Sequence, residues 1–106
     1  HTNHCLHQDL RPINDLFPEL IQSRPRKARI ERAFAEEDRA ISLESIKRVL
    51  RDHEDYPRSI CRHANDHPTN GYWVSVFSVI IEAEIGRMHV SRGNPCETPY
   101  ETYQLN

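Results

Sequence analysis

The sequence predicts an α+β protein: an antiparallel hairpin with two to three helices packed against it. Three observations carry that prediction. Tyr72 to Arg92 reads as two β-rich runs around a Gly-containing break. Leu43, Ile46, Val49 and Leu50 form a helical stripe behind a capping serine. Polar, proline-containing segments separate these elements.

The hairpin is the clearest signal. Trp73, Val74, Val76, Phe77, Val79, Ile80 and Ile81 are β-branched, aromatic or otherwise strand-favouring, and Glu84-Ile85-Gly86 supplies the turn. Side chains alternate across a strand, and here both faces of the first strand are largely apolar, so cover is expected on both sides. In the second strand Met88 and Val90 share one face while Arg87, His89 and Ser91 share the other. That alternation places it near an edge or a wetted surface.

The helices follow from local chemistry. Residues 6–25 carry Pro12, Pro18 and Pro25, which allow only about a turn, near Asp15 to Leu20. Ser23 is a candidate cap for a helix with Pro25 in its first turn. Ala28, Ile30, Ala33 and Phe34 give that helix an apolar stripe ending near Glu37. Ser42 is an N-cap for a second helix over 43–52, with Glu44 at its positive end and Ile41 and Ile46 spaced as a staple. The stretch 53–71 is a long polar loop closed by Asn70-Gly71, and loops of that length are often functional. In the tail, Tyr100, Tyr103 and Leu105 are expected to pack back on the sheet.

Composition limits the function classes. The 106 residues suit one unit, 1–106, with 28% charged and 37% hydrophobic residues. No apolar run reaches the roughly 18 residues of a membrane helix. With 14 basic and 16 acidic residues the net charge is -2, so no membrane and no nucleic-acid partner is expected. Cys5, Cys61 and Cys96 are odd in number and widely spaced, which suggests a reducing, cytoplasmic setting without a disulfide framework. The chain opens on His1 rather than Met, as expected of a cleaved or trimmed polypeptide.

Two groups of residues invite a metal reading: His1, His4, Cys5 and His7, and then His53, Cys61, His63 and His67. Zinc sites usually pair ligands at short, repeated spacings, and neither group does so. Solvated loop histidines are the plainer reading, and no cofactor is expected. Cys61 and His63 could in principle form a nucleophile–base pair, but adjacency in sequence does not define the geometry, and a small buried hydrophobe is the plainer role for Cys61.

An ordered set of segments points further: His1-Thr2-Asn3-His4-Cys5, Tyr56-Pro57-Arg58-Ser59-Ile60-Cys61-Arg62, the hairpin, and Gly93-Asn94-Pro95-Cys96-Glu97. Together they resemble the C-terminal part of the acyl-coenzyme A:6-aminopenicillanate acyltransferase family of autoproteolytic N-terminal nucleophile hydrolases. The resemblance spans essentially the whole chain. It implies an αββα sandwich, of which this chain supplies one portion, and a cysteine nucleophile with its own α-amino group as base. It implies cleavage of a linear amide or thioester acyl group, with transfer to water or an amine. By position, Asn3 matches the family's oxyanion-hole asparagine, and Arg62 is a candidate for holding a substrate carboxylate; its alternative role is to pin the loop.

Two departures qualify the match. The nucleophilic cysteine is not in this chain, so the implied partner is the N-terminal remainder of the same precursor, and the chain alone is expected to be inactive. The penicillin acyltransferase has a Ser-Arg pair before the hairpin, where this sequence reads His67-Pro68-Thr69-Asn70-Gly71; that points away from aminopenicillanate and towards other small-molecule acyl amides or acyl-CoA-like substrates. The competing expectation is a self-contained, non-catalytic binding domain whose His/Cys loop holds a partner or a metal. The two differ in what becomes of the two-faced strand: a complete domain buries it, and a portion leaves it bare.

Overall fold

Three helices and a three-stranded antiparallel sheet make up the fold in a computed structural model that describes residues 2–16, 22–38 and 40–105. In chain order these are α1 (Ile13–Leu16), α2 (Ser23–Ala35), α3 (Leu43–Leu50), β1 (Ser78–Glu82), β2 (Arg87–Ser91) and β3 (Tyr100–Gln104). The strand order is β1-β2-β3. The turn expected at Asp15 to Leu20 begins earlier, as α1, and positions 17–21 lie outside the described residues, as does His1.

The helix starts separate two uses of serine. At α3 the Ser42 hydroxyl accepts from the Ser45 amide (3.1 Å), and the Ser45 hydroxyl lies 2.8 Å from the Ser42 amide, a reciprocal capping box. Glu44 lies in the first turn, as expected, but Ile41 is exposed. At α2 the cap is Gln22, with φ 53°, rather than Ser23. Ser23 is the first helical residue, and its hydroxyl turns to the Asn3 amide and to His4 Nδ1, 2.8 Å from each.

α2 and α3 pack through Ala33 and Val49, with Ile60 from the following loop completing a small core flanked by Ile30, Phe34 and Leu50. Arg29, buried on α2, closes one side. Its Nε and Nη2 bond the two Asp52 oxygens at 2.9 and 2.8 Å, and Nη2 also lies 3.0 Å from Glu54. The Arg29 guanidinium holds the Asp52 carboxyl below its usual range. A lowered carboxyl pKa means that the pair contributes stability above the ordinary carboxylate range, and that this is lost as pH falls through the lowered value.

The hairpin forms with Ser78 opposite Ser91 and Glu82 opposite Arg87. A 3₁₀ turn at Ala83–Ile85 connects the strands, and Gly86 leaves it at φ 62°, where a side chain would be strained. The first strand is shorter than its composition suggests. Residues 73–77 are extended but outside the ladder, because β2 ends at Ser91 and the chain turns away through Gly93 at φ 132°. They bridge instead to the preceding loop: the Ser75 amide donates to the Arg62 carbonyl (2.9 Å) and the Arg62 amide to Ser75 Oγ (3.0 Å).

The tail expected merely to pack on the sheet is itself the strand β3, with Ser91 opposite Tyr100 and Met88 opposite Tyr103. This makes β2 the central strand, not an edge. The expected sidedness of β2 is also reversed: its polar face is the buried one. His89 is buried on that face because both ring nitrogens are satisfied, Nδ1 at 3.0 Å from Thr102 Oγ1 and Nε2 at 2.7 Å from Glu82 Oε1. α3 lies over this side, with Lys47 and Arg51 above the Tyr100 ring.

The other face of the sheet is bare. Val79, Ile81, Met88 and Tyr103 share it, Ile81 is 68% exposed, and the neighbouring Val76 and Phe77 are 66% and 62% exposed. Cover on both sides, expected from the sequence, is therefore present on one side only among the described residues. Exposed apolar area of this kind marks an interaction surface.

The buried pair gives a direct test. Arg29→Met, which strands the Asp52 carboxylate, is expected to cost about 3 kcal/mol in urea denaturation, in the range for breaking a buried ion pair. A loss below about 1 kcal/mol would mean that the pair behaves as a surface contact.

Candidate functional site

Asn3 and Arg62, far apart in sequence, line one cavity of about 490 Å³, together with Arg26, Trp73, Ser75 and Phe77 among others. Asn3 is placed by two contacts with α2. Its amide donates to Ser23 Oγ at 2.8 Å, and its side-chain Oδ1 accepts from Arg26 Nη2 at 2.6 Å. Anchoring Oδ1 to Arg26 orients the carboxamide. The flanking segment is held by Asn14, buried on α1, which accepts from the Cys5 amide (2.8 Å) and donates to the Cys5 carbonyl (2.9 Å). Burial, then Arg24, Lys27 and Arg26, push the pKa of the neighbouring His4 down.

Arg62 is 3% exposed. Its guanidinium donates to the carbonyls of Trp73 (3.2 Å), Pro57 (3.3 Å) and Asn70 (2.9 Å), and to Gln22 Oε1 at 2.6 Å. These are the contacts of a residue that pins the loop, the alternative considered from the sequence. They fix Asn70 and Trp73, the latter at the start of the cavity wall that continues through Ser75 and Phe77. The loop is also tight at Gly71, where a Cβ would meet the Asn65 carbonyl oxygen at 2.2 Å.

A second constellation lies on the other side of the same loop. The ligand-type atoms of His53, Cys61, His63 and Cys96 all fall within 4.8 Å of one another. His63 Nε2 is 3.2 Å from His53 Nε2, 3.3 Å from Cys96 Sγ and 3.8 Å from Cys61 Sγ. Cys61 is fully buried, Cys96 and His63 are partly buried, and His53 is at the surface. Burial and the neighbouring Cys61 push the Cys96 thiol up to about 11. All three cysteines are free thiols.

The sequence grouping caught three of these four and put His67 where Cys96 belongs. His67 Nδ1 instead accepts from the backbone amides of Thr69 and Asn70, an ordinary turn contact. Cys96 follows β2, and only the pairing of the hairpin brings it back to the end of α3. His4, Cys5 and His7 do not form such a group among the described residues.

No family model and no curated protein matches this chain. Among the described residues no helix is long and apolar enough to cross a membrane.

Proposed function

We propose that this chain is the C-terminal portion of a cysteine-dependent N-terminal nucleophile amidohydrolase or acyltransferase, in which Asn3 is an oxyanion-hole donor. The observation that carries this reading is the shared cavity. The segment matching the family's asparagine motif and the loop around Arg62 converge on one opening beside an extended apolar stretch. The bare sheet face supports it independently, because in a layered sandwich that face is covered by the rest of the domain.

The chemistry assigned to the complete protein is acyl transfer. The thiol of the nucleophilic cysteine, outside this chain, gives its proton to the adjacent α-amino group, whose ordinary pKa near 8 suits that exchange. The thiolate attacks the substrate carbonyl carbon, a C–S bond forms, and the carbonyl π electrons move to oxygen. Asn3 Nδ2–H donates to that oxyanion. Collapse expels the amine, or the thiol of a thioester, which takes up the proton from the α-ammonium, and a thioester remains on the enzyme. Water or an acceptor amine then attacks the thioester and restores the thiol. Arg62 serves this site by holding the cavity wall in place through the Trp73 and Asn70 carbonyls.

Asn3→Ala in the complete protein is expected to lower kcat about 10²–10³-fold on an amide substrate while leaving the circular-dichroism melt in place. An unchanged kcat would remove Asn3 from the mechanism. Covering of the sheet face has its own check. Phe77→Asp and Ile81→Asp are expected to weaken association with the N-terminal remainder in native mass spectrometry, because each buries a charge in an apolar contact. Association at wild-type strength would show that this face is not the contact.

A further inference from the structure

The His/Cys cluster is not used by acyl transfer, and its geometry matches a particular ligand. A tetrahedral Zn²⁺ with bonds of about 2.0–2.1 Å to nitrogen and about 2.3 Å to sulfur separates its ligand atoms by about 3.3 Å (N to N) and about 3.6 Å (N to S). His63 Nε2 lies 3.2 Å from His53 Nε2 and 3.3 and 3.8 Å from the two sulfurs, and all four ligand atoms fall within 4.8 Å of one another. Two soft thiolates with two imidazoles select zinc over oxygen-seeking cations such as Mg²⁺ or Ca²⁺.

The surroundings are those of a built site. The Cys61 amide donates to the Asp52 carbonyl at 3.0 Å, placing Cys61 beside His53. Arg51 Nε donates to the Pro95 carbonyl at 2.9 Å, holding the turn that carries Cys96. Asn94 Nδ2 bonds the Arg62 carbonyl at 2.8 Å and approaches Cys61 Sγ at 3.7 Å and His63 Nε2 at 3.4 Å. Glu97 Oε1 lies 4.0 Å from His63 Nδ1, beyond hydrogen-bond length.

We propose that His53, Cys61, His63 and Cys96 bind one Zn²⁺ ion in a closed tetrahedral site that staples the loop after α3 to the turn after β2. Binding transfers two thiol protons to solvent, so two thiolates balance the charge of Zn²⁺ and both imidazoles stay neutral. With four protein ligands there is no open position for substrate, so the ion is structural.

The test uses the full chain in reducing buffer, loaded with zinc or cobalt alone. Zinc content after exhaustive dialysis is expected to be about one ion per chain. Co²⁺ is expected to give the visible bands of tetrahedral coordination with thiolate-to-cobalt charge transfer. Cys96→Ser should abolish tight binding, and His67→Ala should leave it unchanged. Should Cys96→Ser fail to fold, alkylation of the wild type decides: with zinc bound, the partly buried Cys96 resists iodoacetamide while Cys5 reacts, and a chelator makes Cys96 reactive. Folded, reduced wild type holding far less than one zinc per chain overturns the proposal, as do cobalt spectra without charge transfer or alkylation of Cys96 that is the same with zinc and with chelator. None of these readouts depends on acyl transfer, so their failure leaves the role of Asn3 standing.

Discussion

The buried crossing at Ser59-Ile60-Cys61-Arg62 is the constraint on which the rest of the structure depends. All four residues are buried. Successive side chains leave the crossing in different directions and meet different parts of the fold. Ile60 closes the core between α2 and α3, Cys61 enters the His/Cys cluster, and Arg62 fixes the wall of the Asn3 cavity. The backbone is tied at both ends, by the Cys61 amide to Asp52 and by Arg62 to Ser75. A shift of this segment would therefore disturb core, cluster and cavity together.

That arrangement explains how a small apolar core suffices. Ala33, Val49 and Ile60 bury little area, and much of the remaining organisation is polar: the Arg29–Asp52 pair, the Arg62 fan of donors, and the His89 bridge between Glu82 and Thr102. Buried polar groups stabilise a fold only when their partners are in place, and here the partners come from distant segments. Such a framework favours one arrangement of the loops over many. Among the described residues, the apolar residues of the opposite sheet face are without cover.

What the sequence disclosed follows the range of the forces involved. α3 was legible because Ser42, Glu44 and its apolar stripe act within a few residues, and the hairpin because Gly86 and the flanking β-branched residues do the same. The strand β3 was not, since Tyr100-Glu101-Thr102-Tyr103-Gln104 alternates weakly and is a strand by virtue of pairing with β2. The polar face of β2 was assigned to water because His89 and Ser91 look exposed in isolation; their partners, Thr102 and the Gly93 carbonyl, make burial favourable. Of the candidate sites, Asn3 and Arg62 were reachable only through the resemblance. The fourth member of the cluster, Cys96, required knowing that β2 returns the chain to the end of α3.

The central claim is that Asn3 donates to the oxyanion of an acyl transfer, and geometry can decide it. The measurement is a crystal structure of the complete protein with a substrate-like aldehyde bound covalently to the nucleophilic cysteine. The hemithioacetal oxygen is predicted to lie about 2.7–3.1 Å from Asn3 Nδ2. An adduct whose oxygen points to other donors, with Asn3 Nδ2 well beyond hydrogen-bond length, would contradict the account.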